Sequence, residues 1–199
     1  MPYKKLSAAQ FRLKYKDFFH MKHFYTLMYE WLVEEDWGGR DKEFNEILYL
    51  QIEHQRAGNE LWFWWRCEKY PENLKDKTAA YWKFTMKIDS HVILLKDTEI
   101  VKEGKKFSTN WGEVEVKVWA DVITDPDGAW ENHFFLKHFN DLFRGRYLKE
   151  QTEKYKIEVY REAYRFQETM KSFLNLKTYL PEPEGQQGMI MPKGGIGEP

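Results

Sequence analysis

The pattern of apolar and polar residues changes along the chain from a helical period to strict alternation and back. Residues 7–34 are expected to form a helix, because apolar side chains recur at spacings of three and four from Phe18 to Leu32. Ser7 is a suitable N-cap, and the glycine pair at 38–39 is a suitable stop signal. The sequence therefore predicts an N-terminal helix.

From residue 47 onward, apolar and polar residues alternate, which is typical of half-buried strands. Two such runs flank a turn at 57–59 and predict a hairpin. Longer strands are predicted at 82–88 and 113–122, shorter ones at 93–95 and 99–101, and turns at 103–104 and 110–112. Because each strand has one polar face, we expect an antiparallel meander of about five to six strands with one covered and one wet face.

The C-terminal part returns to a helical period. Pro126 and Gly128 predict a type I turn at 125–128 that closes the sheet region. Residues 131–174 contain no proline and carry helical spacing, which predicts a stripe along one helix face formed by Thr152, Tyr155, Val159, Ala163, Phe166, Met170 and Phe173. A single straight helix of that length would measure about 66 Å, whereas a compact chain of this size is roughly 42 Å across. We therefore expect the helix to break near Gly145.

The predicted fold class is α+β, with one domain at 1–176 and an irregular tail rich in proline and glycine at 177–199. Aromatic residues make up 18% of the chain within an apolar total of 42%. The net charge of −1 argues against the extended positive field of a non-specific duplex-binding protein. The start of the chain lacks the apolar segment of a secretion signal, and no apolar run is long enough to span a bilayer, so we expect a cytoplasmic or particle-associated (virion-like) protein.

A search for chemistry finds no motif that fixes a reaction. Cys67 is the single cysteine and shares the phase of the buried strand residues, so it is expected in the core. His20 and His23 share one side of the first helix but have no local third metal ligand. Glu53-His54 near Glu60 could form an acid/base pair or a hydrogen-bonded turn. We predict no catalytic, cofactor-binding or metal-binding residue, and no cofactor.

Aromatic residues with an outward phase predict either a binding surface or a second sheet face covered by a helix. Trp62 and Trp64 alternate with the inward residues of their strand. Trp119 alternates in the same way with the inward valines of the strand at 113–122, so it points to the other face. Tyr160 and Tyr164 form a second apolar strip on the C-terminal helix. The tail carries a short apolar docking peptide formed by Met189, Ile190 and Met191.

These residues favour a non-enzymatic interaction protein that associates with copies of itself or with another protein, as a subunit of a tube, shell, filament or particle. The alternative is a ligand-binding module or enzyme with an aromatic-lined pocket between sheet and helices. A third hypothesis is binding of single-stranded nucleic acid by a patch that mixes basic and aromatic residues, whose basic members are Lys137, Arg144, Arg146 and Lys149.

Three segments carry a resemblance to known proteins: LWFWWRCEK at 61–69, KEGKKF at 102–107 and KSFLNL at 171–176. Over roughly residues 18–176, the chain resembles small uncharacterised proteins from archaeal genomes and their mobile elements. The resemblance implies no activity, substrate or catalytic residue.

Overall fold

The computed structural model describes residues 4–38, 45–54, 58–71, 81–102, 105–128, 134 and 148–175 of the 199-residue chain. Five strands and two helices lie in these ranges. In chain order they are β1 (Lys4–Phe19), α1 (Met21–Glu34), β2 (Glu46–Ile52), β3 (Asn59–Lys69), β4 (Trp82–Lys102), β5 (Lys105–Thr124) and α2 (Lys149–Phe173).

The predicted helix at 7–34 is wrong in its first half, because residues 4–19 form strand β1. Phe11, Leu13 and Tyr15 alternate with basic residues, and Leu13 lies opposite Val116 of β5. A helix satisfies its backbone hydrogen bonds internally, whereas a strand needs a neighbouring strand. Strand β5 supplies these hydrogen bonds to β1. Helix α1 begins only at Met21, so Ser7 is not its N-cap. His20 occupies that position, and its Nδ1 accepts a hydrogen bond from the backbone N–H of His23 at 3.4 Å.

The five strands form one antiparallel sheet in the order β1-β5-β4-β3-β2. Strands β2 to β5 are an up-and-down meander, as the alternation predicts. Strand β1 pairs with β5 along the edge of β5 that faces away from β4. Strands β1 and β2 are therefore the two edges. The α+β class and the antiparallel meander are confirmed.

Strands β4 and β5 are longer than the sequence indicates. The short strands predicted at 93–95 and 99–101 belong to β4, beyond a register shift between Ile93 and Lys96 where Leu94 has φ of 58°. The turn predicted at 110–112 is wrong, since these residues lie inside β5. A Cβ atom on Gly112 would lie 3.1 Å from the Ile93 carbonyl oxygen, so this glycine allows close approach of the two strands at the bulge rather than a turn.

Both helices pack on one face of the sheet, which we call the inner face. Helix α1 contributes Phe24, whose ring lies 5.6 Å from that of Phe173 at the end of α2. Tyr155 of α2 reaches β4, with its ring 5.4 Å from that of Phe84. The apolar stripe predicted on the C-terminal helix is buried, and its fully or nearly buried members are Tyr155, Val159, Ala163, Phe166 and Met170.

The turn predicted at 125–128 is present, because the N–H of Gly128 donates to the carbonyl oxygen of Asp125 at 3.1 Å. Helix α2 then covers the second part of the predicted helix at 131–174. The proposed break near Gly145 and the tail at 177–199 lie outside the described residues. The division into one domain and a tail stays a prediction.

Candidate interaction surface

The face of the sheet turned away from the helices, here called the outer face, carries three tryptophans in a defined arrangement. Strand pairing sets Trp62 opposite His91 and Trp64 opposite Asp89, and it sets Trp119 opposite Lys87. Residues that oppose each other in antiparallel strands point to the same side of the sheet. The three indoles therefore share one surface, as their outward phase predicts.

These indoles line a groove of about 360 Å³ on the outer face, together with Asp89, His91, Glu115 and Lys117. Trp64 is 38% exposed, while Trp62 and Trp119 are half-buried. We call this depression the tryptophan groove. It brings together Trp62, Trp64 and Trp119, the three strand residues that the sequence selects as interface candidates.

Charged side chains around the groove are paired with one another. Glu115 lies 2.6 Å from the Arg12 guanidinium and 2.9 Å from the Lys117 ammonium. These two cations, Lys117 foremost, lower the pKa of Glu115 below its ordinary value. Asp89 is likewise 2.7 Å from Arg66 and 3.5 Å from Lys87. Of the two cations near each carboxylate, one lies on a neighbouring strand and the other on the same strand, so four cations surround the two carboxylates that line the groove.

A chain of side chains links the groove to the end of the β2–β3 hairpin. His91 stacks on Trp62, and its Nε2 lies 2.6 Å from Oε1 of Glu60. His54 approaches the other carboxylate oxygen of Glu60, at 3.5 Å. The expected contact between His54 and Glu60 is thus present, but His91 is the closer partner. The sequence places His91 in an outward phase, yet its neighbours depend on strand register, which the sequence pattern does not reveal.

Strand β2 exposes most of its apolar side chains to solvent. Ile47 is 57% exposed, Tyr49 53%, Leu50 43% and Ile52 37%, and Leu48 is half-buried. We call these five residues the apolar edge. In the described part of the chain, β2 pairs with β3 alone. An unpaired strand edge with apolar side chains is a template for addition of another strand.

The apolar edge and the tryptophan groove are continuous. Leu50 lies opposite Trp62, and Leu48 lies opposite Trp64. The two leucines therefore extend the outer-face surface of the indoles to the rim of the sheet. The sequence predicts β2 as a half-buried strand, and nothing in its alternation indicates that it forms an edge, because strand order is a tertiary property.

A second groove, of about 450 Å³, lies between α1 and the same edge. It is lined among others by Tyr25, Glu46, Tyr49 and Leu61. The hydroxyl of Tyr25 and the indole N–H of Trp65 both donate to Oε1 of Glu46, each at 3.0 Å. Burial, followed by the bond to Glu46, raises the pKa of Tyr25.

Other residues selected from the sequence lie elsewhere. Tyr160 is 46% exposed, and its ring is 4.5 Å from that of Tyr164, which also contacts Phe11. Both tyrosines are on α2, on the opposite side of the sheet from the tryptophan groove. Lys149 is exposed at the start of α2. The other selected residues lie outside the described part of the chain: Lys137, Arg144, Arg146, Met189, Ile190 and Met191.

Buried polar groups occur on the inner side of the sheet. Cys67 is 2% exposed, as expected for a core residue, and burial raises the pKa of its thiol to about 12. Lys69 and Glu162 form an ion pair at 2.8 Å with both side chains less than a tenth exposed. The rings of His20 and His23 stack at 3.9 Å. Across the described residues, no three acidic, histidine or cysteine side chains group as metal ligands do.

No helix within the described ranges is long and apolar enough to cross a membrane. No protein-family model matches the chain, and no curated protein matches it.

Proposed function

We propose that this chain is a non-enzymatic interaction protein that associates with copies of itself through the apolar edge and the adjoining tryptophan groove, as a building block of a larger assembly. The observation that carries the proposal is the exposure of Ile47, Tyr49, Leu50 and Ile52 on a strand that has a pairing partner on one side only within the described ranges. Native proteins usually protect such edges with charge, proline or a covering element.

The two edges of this sheet differ in this respect. Strand β1 carries four lysines and Arg12, whereas each edge strand has one register shift, between Ser7 and Ala9 in β1 and between Glu46 and Leu48 in β2. Charge is one of the devices that oppose strand addition, and it is the one in which the two edges differ. Strand β2 carries a single charged residue, Glu46, whose Oε1 already accepts two hydrogen bonds. Among the described residues, one edge is thus protected by charge and the other is open.

Strand pairing alone would make a small interface. A strand of seven residues spans about 23 Å, and a stable interface usually covers about 800 Å² on each partner. The tryptophan groove, which continues the apolar edge on the outer face, supplies further surface of the aromatic kind enriched at interface centres.

A second candidate function is binding of a small ligand in the groove between α1 and β2. The aromatic rings of Tyr25 and Tyr49 and the carboxylate of Glu46 line this groove, which has the apolar walls and few polar groups typical of ligand sites. This is the pocket between sheet and helices that the sequence leaves as an alternative. A monomer that binds a small molecule there would favour it.

Sedimentation velocity over protein concentrations from about 1 to about 100 µM tests the main proposal, because association follows mass action. We expect the mass to rise with concentration in the full chain and Leu50→Lys to suppress the rise. Phe107→Lys is the matched control, since Phe107 is 48% exposed on the β4–β5 hairpin, away from the edge. A monomer at every concentration would reject self-association.

A further inference from the structure

We propose that the partner at the apolar edge is a second copy of this chain, bound by antiparallel pairing of the two β2 strands about a two-fold axis at Tyr49. This inference rests on the proposed function and gives it a geometry. The product is a continuous sheet of ten strands, in which β2 of each copy is an interior strand.

The register follows from the length and charge of β2. With the axis at Tyr49, the regular part of β2, Leu48–Ile52, is centred close to the axis, and the register shift between Glu46 and Leu48 lies at the end of the new pair. Ile47 lies opposite Gln51 of the second copy, and Leu48 lies opposite Leu50. Glu46 lies opposite Ile52, so no like charges meet across the new pair. The same pairing between two β1 edges would bring lysine-rich strands together, which like-charge repulsion opposes.

The axis also fixes how the faces of the two sheets align. Because residues of the same parity oppose each other, the inner faces of both copies lie on one side and the outer faces on the other. The existing register places Leu50 beside Trp62 and Leu48 beside Trp64. Each row across the junction therefore reads Trp62, Leu50, then Leu48 and Trp64 of the second copy.

These two rows make the contact between the two copies apolar. Each consists of four apolar side chains in adjacent strands, so the leucines exposed in one copy are covered by those of the other. A two-fold contact uses the same patch on both copies and closes on itself. The edge thus specifies a dimer as the unit of assembly, and growth beyond two copies would need another surface.

Cysteine cross-linking of the full chain tests the register. In Tyr49→Cys, opposed Cα atoms would lie about 4.5 to 5.5 Å apart, within the range that a disulfide spans. In Ile47→Cys, the two cysteines would be offset by four residues, about 13 Å, which is too far. The native Cys67 does not interfere, because it is buried and its thiol is poorly ionised.

We expect mild oxidation to convert most of the Tyr49→Cys variant to a covalent dimer. Most of the Ile47→Cys variant should remain without a cross-link. Tyr49→Lys should raise the dimer dissociation constant by at least about tenfold, because two ammonium groups would meet at the axis. Phe107→Lys should leave the constant unchanged. Circular dichroism checks that both lysine variants keep the wild-type fold.

The outcomes separate this inference from the proposed function. A dimer in solution that Tyr49→Cys does not lock would overturn the pairing and leave self-association standing. Loss of the dimer on deletion of 177–199, with no cross-link at position 49, would show that the tail occupies the edge and would also overturn it. Monomers for every variant and for the wild type would overturn both.

Discussion

The indole of Trp62 lies flat against the imidazole of His91, with ring centroids 4.6 Å apart and ring planes inclined by 9°. The His91 ring is also held from its edge, because its Nε2 lies 2.6 Å from Oε1 of Glu60. This stack joins the aromatic wall of the tryptophan groove to its polar rim. It fixes the orientation of Trp62, which would otherwise have freedom to rotate on a partly wet surface.

Replacement of His91 should therefore change both the stability of the fold and the fluorescence of Trp62. We expect His91→Ala to lower the free energy of unfolding by about 1 kcal/mol, the usual contribution of a stacked pair, and to shift tryptophan emission to longer wavelength. His91→Phe should restore most of both quantities because it keeps a flat ring. The shift must vanish in a Trp62→Phe background; persistence there would place its origin at another tryptophan.

The ion pair of Lys69 and Glu162 predicts an asymmetric response to mutation. Both side chains are less than a tenth exposed, and Oε2 of Glu162 has no hydrogen-bond partner among the described residues. Glu162→Gln leaves the Lys69 ammonium buried without a counterion and should cost about 3 to 5 kcal/mol in urea unfolding. The double variant Lys69→Met/Glu162→Met should recover most of that loss. A double variant no more stable than Glu162→Gln would contradict this account of the pair.

Cys67 should be inert in the folded chain. With its pKa raised to about 12 by burial, only about one thiol in ten thousand is ionised at pH 8. An aromatic disulfide reagent should react with fewer than a tenth of the molecules in native buffer during the time in which a urea-unfolded sample reacts completely. Rapid labelling of the native chain would show that the β3 region opens readily.

Acid should destabilise the fold by protonating carboxylates on the outer face. Hydrogen bonding from Lys14 lowers the pKa of Glu113, and Lys117 and Arg12 do the same for Glu115. Groups with a lowered folded pKa stabilise the fold fully above the ordinary value of about 4.3 and lose this effect as the pH falls through the folded value. We expect the free energy of unfolding to fall below pH of about 4.

The measurement is urea unfolding at pH values of about 6 and about 3. The free energy of unfolding should differ less between the two pH values in Glu115→Gln than in the wild type, because the variant lacks one of the titrating carboxylates. Glu99→Gln is the control, since Glu99 is 64% exposed on the hairpin arm. An equal reduction in the two variants would mean that the acid sensitivity is general rather than local to the outer face.

The sequence pattern predicted those features that depend on local periodicity. The stripe from Tyr155 to Met170 and the outward phase of Trp62 and Trp64 follow from periods of 3.6 and two, and the structure places them accordingly. The helix error at 7–19 has a related cause. Residues 10–16 do alternate, but they directly precede the helical spacing that begins near Phe18, and a short alternating run beside a helix does not reveal where the helix begins. Only the pairing with β5, about a hundred residues away in the sequence, decides between the two.

Features that depend on strand order could not be predicted in this way. The continuity between Leu50 and Trp62 requires the β2–β3 register, and the exposure of Tyr49 requires β2 to be the last strand of the sheet. Gly112 is a similar case, because a glycine that closely follows Asn110 indicates a turn until the opposite strand is known to bulge against it. Local alternation specifies faces, while edges and neighbours are set by topology.

The position of β1 beside β5 has a consequence for biosynthesis. Lys4 pairs with Thr124, so at about 5 to 20 residues per second the first strand waits roughly 6 to 24 s on the ribosome before its partner is made. During that interval Phe11 and Leu13 have no sheet to join. The lysines and arginine among them alternate with these apolar side chains, and the sheet can be completed only after Thr124 at the end of β5 has been synthesised.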